Sequence, residues 1–335
     1  MPWLRALGGA RSASFLLSCA VLLGTPASAV TVDWVGVGGV GNACETQSQG
    51  CFGGVAYSYK ISKYEVTNAQ YAEFLNAVAA TDANGLYNAS MDSSSFGGIT
   101  QSGSPGSFSY SAKVGFADKP VNFVSFYDSL RFANWLGNGQ PTGAQGSSTT
   151  EGGAYTITSF GITTNSITRN AGATIFLTSE DEWYKAAYYD AVTASYFDYP
   201  TSSNTAPICA APTGSANSAN CDGVGSDAVD PDVDAPTSVG SFSGSLSPNG
   251  TFDQGGNLRE WHEAIISGTS RGARGGAFMD ASSTSAASFR FFIGPLSELG
   301  GLGFRVASLS VPEPAAGLLA VVGLLAWSAS RRRRA

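Results

Sequence analysis

Histidine is almost absent from this 335-residue chain, in which His262 is the only example. Imidazole is the commonest protein ligand for transition metals, so a site that needs two or three histidines is excluded. Cysteine is absent downstream of Cys221, so the last third of the chain has no thiolate for a soft metal ion. Any redox-metal chemistry therefore needs ligands that this sequence does not offer.

Basic residues are also scarce. Of the 18 lysines and arginines, Arg5, Arg11 and the four arginines at 331–334 lie in the terminal segments, which leaves 12 between residues 30 and 310. The same span keeps 24 of the 25 acidic residues, all except Glu313. A body with twice as many acids as bases repels phosphate backbones, so nucleic acid is excluded as a partner.

The N-terminal segment has the features of a secretory signal peptide. Arg5 and Arg11 precede an apolar run at 14–24, and Ala27-Ser28-Ala29 supplies the small residues that signal peptidase requires. We expect export by the Sec pathway, with cleavage after Ala29. The mature chain then begins with an N-terminal extension at 30–54.

The C-terminal segment, residues 310–335, has the features of a sorting signal. Val311-Pro312-Glu313-Pro314 leads into an apolar run at 315–329 and then into the four arginines. As a helix the run would measure about 22 Å, which is shorter than the roughly 30 Å hydrocarbon core of a bilayer. The run is nevertheless expected to form a short transmembrane helix in a thin inner membrane, with its arginines on the cytoplasmic face.

This tail resembles the PEP-CTERM sorting signal. The resemblance implies that the protease exosortase cuts near the motif and releases or anchors the protein outside the cell. An ordinary C-terminal membrane anchor is the alternative. Either way, the middle of the chain is expected to face the periplasm, the cell surface or the extracellular matrix.

Cysteine spacing agrees with an oxidising location. Cys19 leaves with the signal peptide, and two sequence-close pairs remain, Cys44 with Cys51 and Cys209 with Cys221. An even count at short spacing in an exported protein predicts two loop-closing disulfides. A metal site is the weaker interpretation, because the single histidine cannot complete it.

Three helices are expected among long Gly-, Ser- and Thr-rich loops. A capping box at Thr67–Gln70, followed by an apolar stripe, predicts a helix over 68–80. Ser125 is a candidate cap for a second helix that ends at Gly137, and Ser179 for a third. Short strands are expected at 55–61, 174–177 and 304–307. No fixed-period repeat is present, which argues against a solenoid or propeller.

The order of these elements resembles the formylglycine-generating enzyme, or sulfatase-modifying factor, family over residues 55–309. The motifs that carry the resemblance are Tyr59-Lys60-Ile61-Ser62-Lys63-Tyr64-Glu65-Val66-Thr67, Lys119-Pro120-Val121-Asn122, Leu177-Thr178-Ser179-Glu180-Asp181-Glu182-Trp183, Gly256-Asn257-Leu258-Arg259-Glu260-Trp261, Arg274-Gly275-Gly276 and Gly303-Phe304-Arg305. The resemblance implies an α+β, C-type-lectin-like fold that is rich in loops, with short antiparallel sheets and a few helices.

The resemblance also implies a structural calcium ion. Its ligands would be the carboxylates of Asp253 and Glu260 and the backbone carbonyls of Gly256 and Leu258, a set of oxygens that suits this hard cation. The alternative is that the two carboxylates cap turns or pair with Arg259, Arg271 or Arg274. A second calcium site in the acidic run from Asp222 to Asp234 is less favoured than a solvated loop.

The oxidase chemistry of the family is missing. Active members bind copper(I) through two cysteines in a C-x4-C arrangement and use it to oxidise a substrate cysteine. The matching positions here are Asp280 and Ser285, and hard oxygen ligands do not suit copper(I). No copper is therefore expected, and no catalytic residue is assigned. His262 is expected to be a hydrogen-bonded residue rather than a ligand or general base.

Two functions remain at this point. The first is an exported, exosortase-sorted surface or matrix protein whose calcium-stabilised domain is a non-catalytic binding module for exopolysaccharide, another surface polymer or peptide. The second is an enzyme of the same superfamily, an oxidoreductase or a protein- or matrix-modifying enzyme, with non-standard active-site residues. Aromatic residues such as Trp135, Trp183 and Trp261 offer stacking surfaces for sugars. Core packing is the preferred interpretation for the last two.

Overall fold

The computed structural model describes residues 29–223 and 235–309. The sorting tail, nearly all of the signal peptide and most of the acidic run lie outside these residues. Within them, no helix has the length and apolar character needed to cross a bilayer. The strands are β1 (Trp34–Val37), β2 (Glu45–Gln47), β3 (Gly50–Phe52), β4 (Tyr59–Ser62), β5 (Ile99–Ser102), β6 (Ser109–Ala112), β7 (Ile175–Leu177), β8 (Tyr189–Asp190), β9 (Ser195–Tyr196), β10 (Ile208–Cys209), β11 (Ser218–Ala219), β12 (Arg259–Ile266), β13 (Ser270–Arg274), β14 (Phe291–Ile293), β15 (Leu302–Gly303) and β16 (Val306–Leu309).

Three of the five α-helices in the described residues begin where their capping residues predict. The helices are α1 (Asn68–Val78), α2 (Ser90–Ser93), α3 (Phe126–Gly137), α4 (Ser159–Thr163) and α5 (Glu180–Tyr188), with a 3-10 turn at Ser282–Ser285. Thr67, Ser125 and Ser179 each complete a capping box at the start of α1, α3 and α5. The three long helices predicted from the sequence are confirmed, although α1 ends two residues early.

Two four-stranded sheets organise the domain. The first has the order β1-β4-β16-β7 and is antiparallel throughout. The second has the order β14-β13-β12-β15, with only the β12–β15 pair parallel. The remaining strands form two-stranded ribbons. Few helices, short and mostly antiparallel sheets and long loops make this the α+β fold expected for the family.

The core lies between the first sheet and helices α1 and α3. Tyr71 and Phe74 of α1 meet Phe132 and Trp135 of α3, with ring centroids 5.2 to 6.1 Å apart. Phe304 closes the cluster from the Gly-Phe-Arg motif, 5.4 Å from Phe132. Aromatic pairs at these separations each add to the stability gained by burial. The apolar stripes read from the sequence therefore face one common core.

Both predicted disulfides are present. Cys44 is bonded to Cys51 with their Cα atoms 5.4 Å apart, and Cys209 to Cys221 at 5.0 Å. Each bond closes a loop of no more than a dozen residues at the edge of the domain. Such bonds fit a protein that folds in an oxidising compartment.

Candidate functional site

Strand β12 brings the main sequence motifs together. Glu260 pairs with Arg274 of β13 on one side and with Gly303 of β15 on the other. Successive side chains of a strand point to opposite faces. Glu260 is fully buried, whereas the side chain of its neighbour Arg259 keeps 16% of its surface exposed. The two residues therefore belong to two different environments, one internal and one at the surface.

The internal environment is built on an ion pair between Glu260 and Arg305. The guanidinium donates from Nη2 to Oε1 at 2.7 Å and from Nε to Oε2 at 2.5 Å. The indole Nε1 of Trp183 also donates to Oε2, at 2.7 Å. Arg305 in turn donates to the carbonyls of Ser62 and Phe252. One guanidinium thus joins three separate segments of the chain.

Glu65 and Asp253 lie close enough to this pair to influence its electrostatics, and the four residues Glu65, Asp253, Glu260 and Arg305 are called the acid cluster below. Burial, reinforced by the charges of Asp253 and Glu260, raises the pKa of Glu65 well above its usual range. Burial likewise raises the pKa of Asp253 to about 6. Three buried carboxyl groups share one guanidinium, so the cluster has an excess of potential negative charge.

The segment at 253–258 curls around Glu65. The side-chain amide of Asn257 donates to Oε2 of Glu65 at 2.7 Å, and the backbone N–H of Leu258 donates to Oε1 at 3.1 Å. Gly256 has a φ of +88°, and a Cβ atom there would lie 2.3 Å from the carbonyl oxygen of Asn220. Only glycine fits this position, which explains the Gly-Asn-Leu motif.

The surface environment contains Arg259 and Asp280. The guanidinium Nη2 of Arg259 forms a short ion pair with Oδ1 of Asp280, and the guanidinium lies 4.5 Å from the ring centre of Phe291. The other oxygen of Asp280 accepts from the backbone N–H of Ala277 at 2.8 Å. Nε of Arg259 is buried and has no hydrogen-bond partner. This arrangement is called the Arg259–Asp280 pair below.

Ser285 is buried at the end of the 3-10 turn. Its hydroxyl donates to the carbonyl of Ser282 at 2.7 Å, and its own carbonyl accepts from the hydroxyl of Tyr188 at 3.0 Å. The hydroxyl is therefore used within its own turn. Nothing in this geometry activates it as a nucleophile, since no base accepts its proton.

His262 is buried next to a separate cluster around Glu180. Its Nε2 lies 3.8 Å from Oε1 of Glu180 and has no hydrogen-bond partner, while Nδ1 accepts from the N–H of Ala264 at 3.3 Å. Arg274 and Arg290 both pair with Glu180. Burial lowers the pKa of His262 to about 4. The ring is neutral at physiological pH and packs as a hydrogen-bonded residue, as its position in the sequence predicts.

The family profile described as "Sulfatase-modifying factor enzyme 1-like domain" (FGE-sulfatase) matches residues 54–309. The chain belongs to this family. Comparison with curated proteins found no match.

Solved structures agree with the fold. The crystal structure of CarF covers 83% of this chain and 98% of its own, with 19% identity and a TM-score of 0.52. Treponema denticola variable protein 1 covers 82% and 94% with 17% identity and a TM-score of 0.49. PvdO from Pseudomonas aeruginosa covers 77% and 82% with 18% identity and a TM-score of 0.42. At these identities the likeness concerns the fold alone, and CarF is the structure that supports it.

The Arg259–Asp280 pair can now be compared with the family's copper site. Asp280 and Ser285 are the positions at which the family resemblance expects the two copper-binding cysteines. In this formylglycine-generating-enzyme-like domain the first position holds a carboxylate neutralised by an arginine, and the second holds a hydroxyl used in a local turn. Neither side chain offers a soft, available ligand for copper(I).

The acid cluster has more carboxyl groups than cationic groups, and this balance of charge suits a bound cation. Three of the four lone-pair positions of the Glu260 carboxylate are used by Trp183 and Arg305, so one position on Oε1 remains. Asp253 accepts from the N–H of Gly240 through Oδ2. Within the described ranges, no three His, Cys, Asp or Glu side chains are arranged to hold a metal ion. A calcium ion here would therefore depend on the carbonyls of Gly256 and Leu258 as well.

Sequence reasoning missed Glu65 as a member of this site. Glu65 was quoted only as part of a family motif, between Tyr64 and Val66, and was given no role. The available signal was its position directly before a buried apolar residue and a helix cap, where a carboxylate must be buried with partners. The alternative to calcium paired the carboxylates with Arg259, Arg271 or Arg274. All three arginines bind elsewhere, and Glu260 pairs with Arg305.

Proposed function

We propose that this protein is an exported surface or matrix protein whose formylglycine-generating-enzyme-like domain binds a surface polymer and does not oxidise cysteine. The observation that carries the proposal is the Arg259–Asp280 pair at the position of the family's first copper cysteine. An ion pair there supplies neither a thiolate for copper(I) nor a free base. The domain retains the family fold, which remains able to present its loops to a ligand.

Export and surface sorting are part of this proposal. The signal peptide ending at Ala29 and the PEP-CTERM-like tail with its basic end support it, and so do the two disulfides. Signal peptidase and exosortase would be transient partners. Exopolysaccharide is the ligand class we favour, because a matrix-sorted protein meets it at the cell surface.

Two measurements on the purified exported chain test the function. We expect no aldehyde when a cysteine-containing sulfatase peptide is incubated with the protein, copper and oxygen. We also expect retention on immobilised exopolysaccharide from the producing cells. Formation of the aldehyde would establish the alternative, an enzyme with non-standard active-site residues. Absence of retention on the polymer would refute the binding role.

The proposal includes a structural calcium ion at Asp253, Gly256, Leu258 and Glu260. The excess of buried carboxyl groups in the acid cluster supports it, because a divalent cation would offset charge that otherwise has to be removed by protonation. The ion would hold the 253–260 turn in place and has no catalytic role. If polymer binding depends on this turn, a calcium chelator should abolish it.

Thermal unfolding measures the calcium effect directly. A ligand that binds only the folded state stabilises it by about 2.7 kcal/mol at 100 times its dissociation constant, so added calcium should raise Tm by several degrees. Asp253→Asn should remove the increase. Asp222→Asn, in the exposed start of the acidic run, is the matched control and should keep it. The same Tm with calcium and with chelator would exclude the site. Loss of the effect in Asp222→Asn alone would move the ion to the acidic run.

A further inference from the structure

The residue that follows the expected signal-peptide cleavage site is buried. Ala29 is exposed, whereas Val30 is only 8% exposed and belongs to the hydrophobic core. The first residues of most domains are poorly ordered unless contacts tie them down. The cleavage motif in the sequence and the burial of the chain therefore indicate the same bond, between Ala29 and Val30.

Backbone contacts anchor the residues that follow Val30. The carbonyl of Thr31 accepts from the side-chain amide of Gln70 at 2.9 Å. The carbonyl of Asp33 accepts from the N–H of Lys63 at 2.7 Å. Strand β1, which pairs with β4, begins at the next residue. The chain is thus held at several points between the expected cleavage site and the first sheet.

Gln140, just after α3, holds both backbone groups of Val30. Its Oε1 accepts from the N–H of Val30 at 2.6 Å, and its Nε2 donates to the carbonyl of Val30 at 2.8 Å. The backbone of Gln140 has a φ of +60°, although the next residue is Pro141. Positive φ is uncommon outside glycine, and a residue before proline is normally extended. This strained conformation, which the surrounding structure maintains, aims the side chain at the start of the mature chain.

The start of the mature chain also lies at an acidic cavity. Ala29 and Val30 both line this cavity, which has a volume of about 470 Å³. The described residues around it include four carboxyl groups and no lysine or arginine. The four are Asp33, Glu65, Glu73 and Asp118. Asp33 and Asp118 are exposed, so the cavity is open to water. Surroundings of this kind favour a positively charged group.

We propose, on the basis of the export proposed above, that the α-ammonium group created by cleavage after Ala29 binds Gln140, so that removal of the signal peptide completes the fold. Hydrolysis of the Ala29–Val30 peptide bond consumes one water molecule and leaves a carboxylate on Ala29 and an ammonium group on Val30. The single N–H donor to Oε1 is replaced by a charged group with three donors. A hydrogen bond from an ionised donor is about twice as strong as a neutral one.

The other two N–H donors need partners as well. Removal of Ala29 vacates part of the cavity wall, and water and the cavity carboxylates then become accessible to the new ammonium group. The burial of Val30 also sets the order of events. A protease needs an exposed segment, and the Val30 side of the bond is covered in the folded domain. Cleavage must therefore precede docking.

Amine labelling of the intact exported protein tests the docking. Mass spectrometry first establishes that Val30 is the amino-terminal residue. Trace acetylation with acetic anhydride at about pH 7 then compares the Val30 amine with the exposed Lys60 side chain in the same molecule. Relative to Lys60, we expect the Val30 amine to react about tenfold more slowly in the folded protein than in urea, because the docked amine is protected.

Two substitutions of Gln140 separate ammonium binding from a neutral backbone contact. Gln140→Met removes both hydrogen bonds and should abolish most of the protection. Gln140→Glu keeps an oxygen acceptor and adds a negative charge, so it should retain the protection although it loses the donor to the Val30 carbonyl. Gln145→Met is the matched control, because Gln145 also accepts from a backbone N–H, that of Asn84. This variant should label like the wild type.

Equal relative labelling of Val30 in the folded protein and in urea would overturn the proposal. So would protection that survives Gln140→Met, or protection that Gln140→Glu loses to the same extent as Gln140→Met. If Gln140→Met does not fold, the wild type and Gln140→Glu decide the question. A first residue other than Val30 would also refute the docking. Polymer retention and aldehyde formation are measured on the same preparation, so failure of the binding function is distinguished from failure of the docking.

Discussion

Glu260 and Arg259 are neighbours on β12, but their side chains lie in different environments. Glu260 points inward and keeps the ion pair and the indole contact that join three segments of the domain. Arg259 points outward and pairs with Asp280, where the family resemblance expects a copper cysteine. The comparison shows that one strand can place a fully buried ion pair on its inner face and a partly exposed ion pair on its outer face.

The difference follows from burial. Replacement of a residue in the acid cluster would leave a charged partner without solvent or a counterion, at a large cost in stability. The Arg259–Asp280 pair is partly exposed, so water can solvate either charge when the other is lost. The inward face therefore tolerates little change, and the outward face is free to change as a pair.

The largest expected effect comes from Arg305→Met. The substitution keeps the side-chain volume but leaves Glu65, Asp253 and Glu260 buried with no cation among the four residues of the cluster. We expect a loss of about 3 to 5 kcal/mol in the free energy of unfolding, measured by chemical denaturation. Arg259→Met is the matched control at the neighbouring position.

The double variant Glu260→Gln/Arg305→Met tests the electrostatic origin of this loss. Removing both charges should cost less than the sum of the two single substitutions, because neither partner is then left unpaired. If Arg305→Met were as stable as Arg259→Met, the inward and outward faces would not differ as we describe.

Trp183→Phe should have an intermediate effect. The phenylalanine ring retains most of the buried apolar surface but removes the N–H that donates to Glu260 at 2.7 Å. A hydrogen bond to a charged group contributes about 1.5 to 3 kcal/mol. Urea denaturation should show a loss in this range. Trp135→Phe is a suitable comparison, since its N–H donates to the neutral carbonyl of Pro141 and the loss should be smaller. Equal losses would show that the charge of Glu260 is unimportant.

Much of the fold could be predicted from local sequence signals. Thr67, Ser125 and Ser179 define helix starts because a capping box depends on residues three positions apart. The hairpin of β12 and β13 was not predicted, because Arg259, His262 and Glu263 interrupt the alternation typical of a strand. The pairing of β12 with β15 is long-range, and it needs the folded chain to be seen.

The sequence predicted only those site residues that lie together in one continuous segment. The 253–260 turn was recognised from one continuous motif. Its partners Glu65 and Arg305 are distant in sequence and become neighbours only when β4 and β16 pair.

The smallest expected effect concerns the outward pair itself. A double-mutant cycle with Arg259→Met and Asp280→Asn measures its coupling, which we expect to be about 1 kcal/mol or less and to weaken in high salt, because both side chains retain contact with solvent. Asparagine still accepts from the N–H of Ala277, so the cycle isolates the ionic contact. A coupling of several kcal/mol that resists salt would mean that the pair holds the domain together as Arg305 does. The Arg259–Asp280 pair would then be a structural requirement of this chain, and the freedom that we assign to the outward face would be absent.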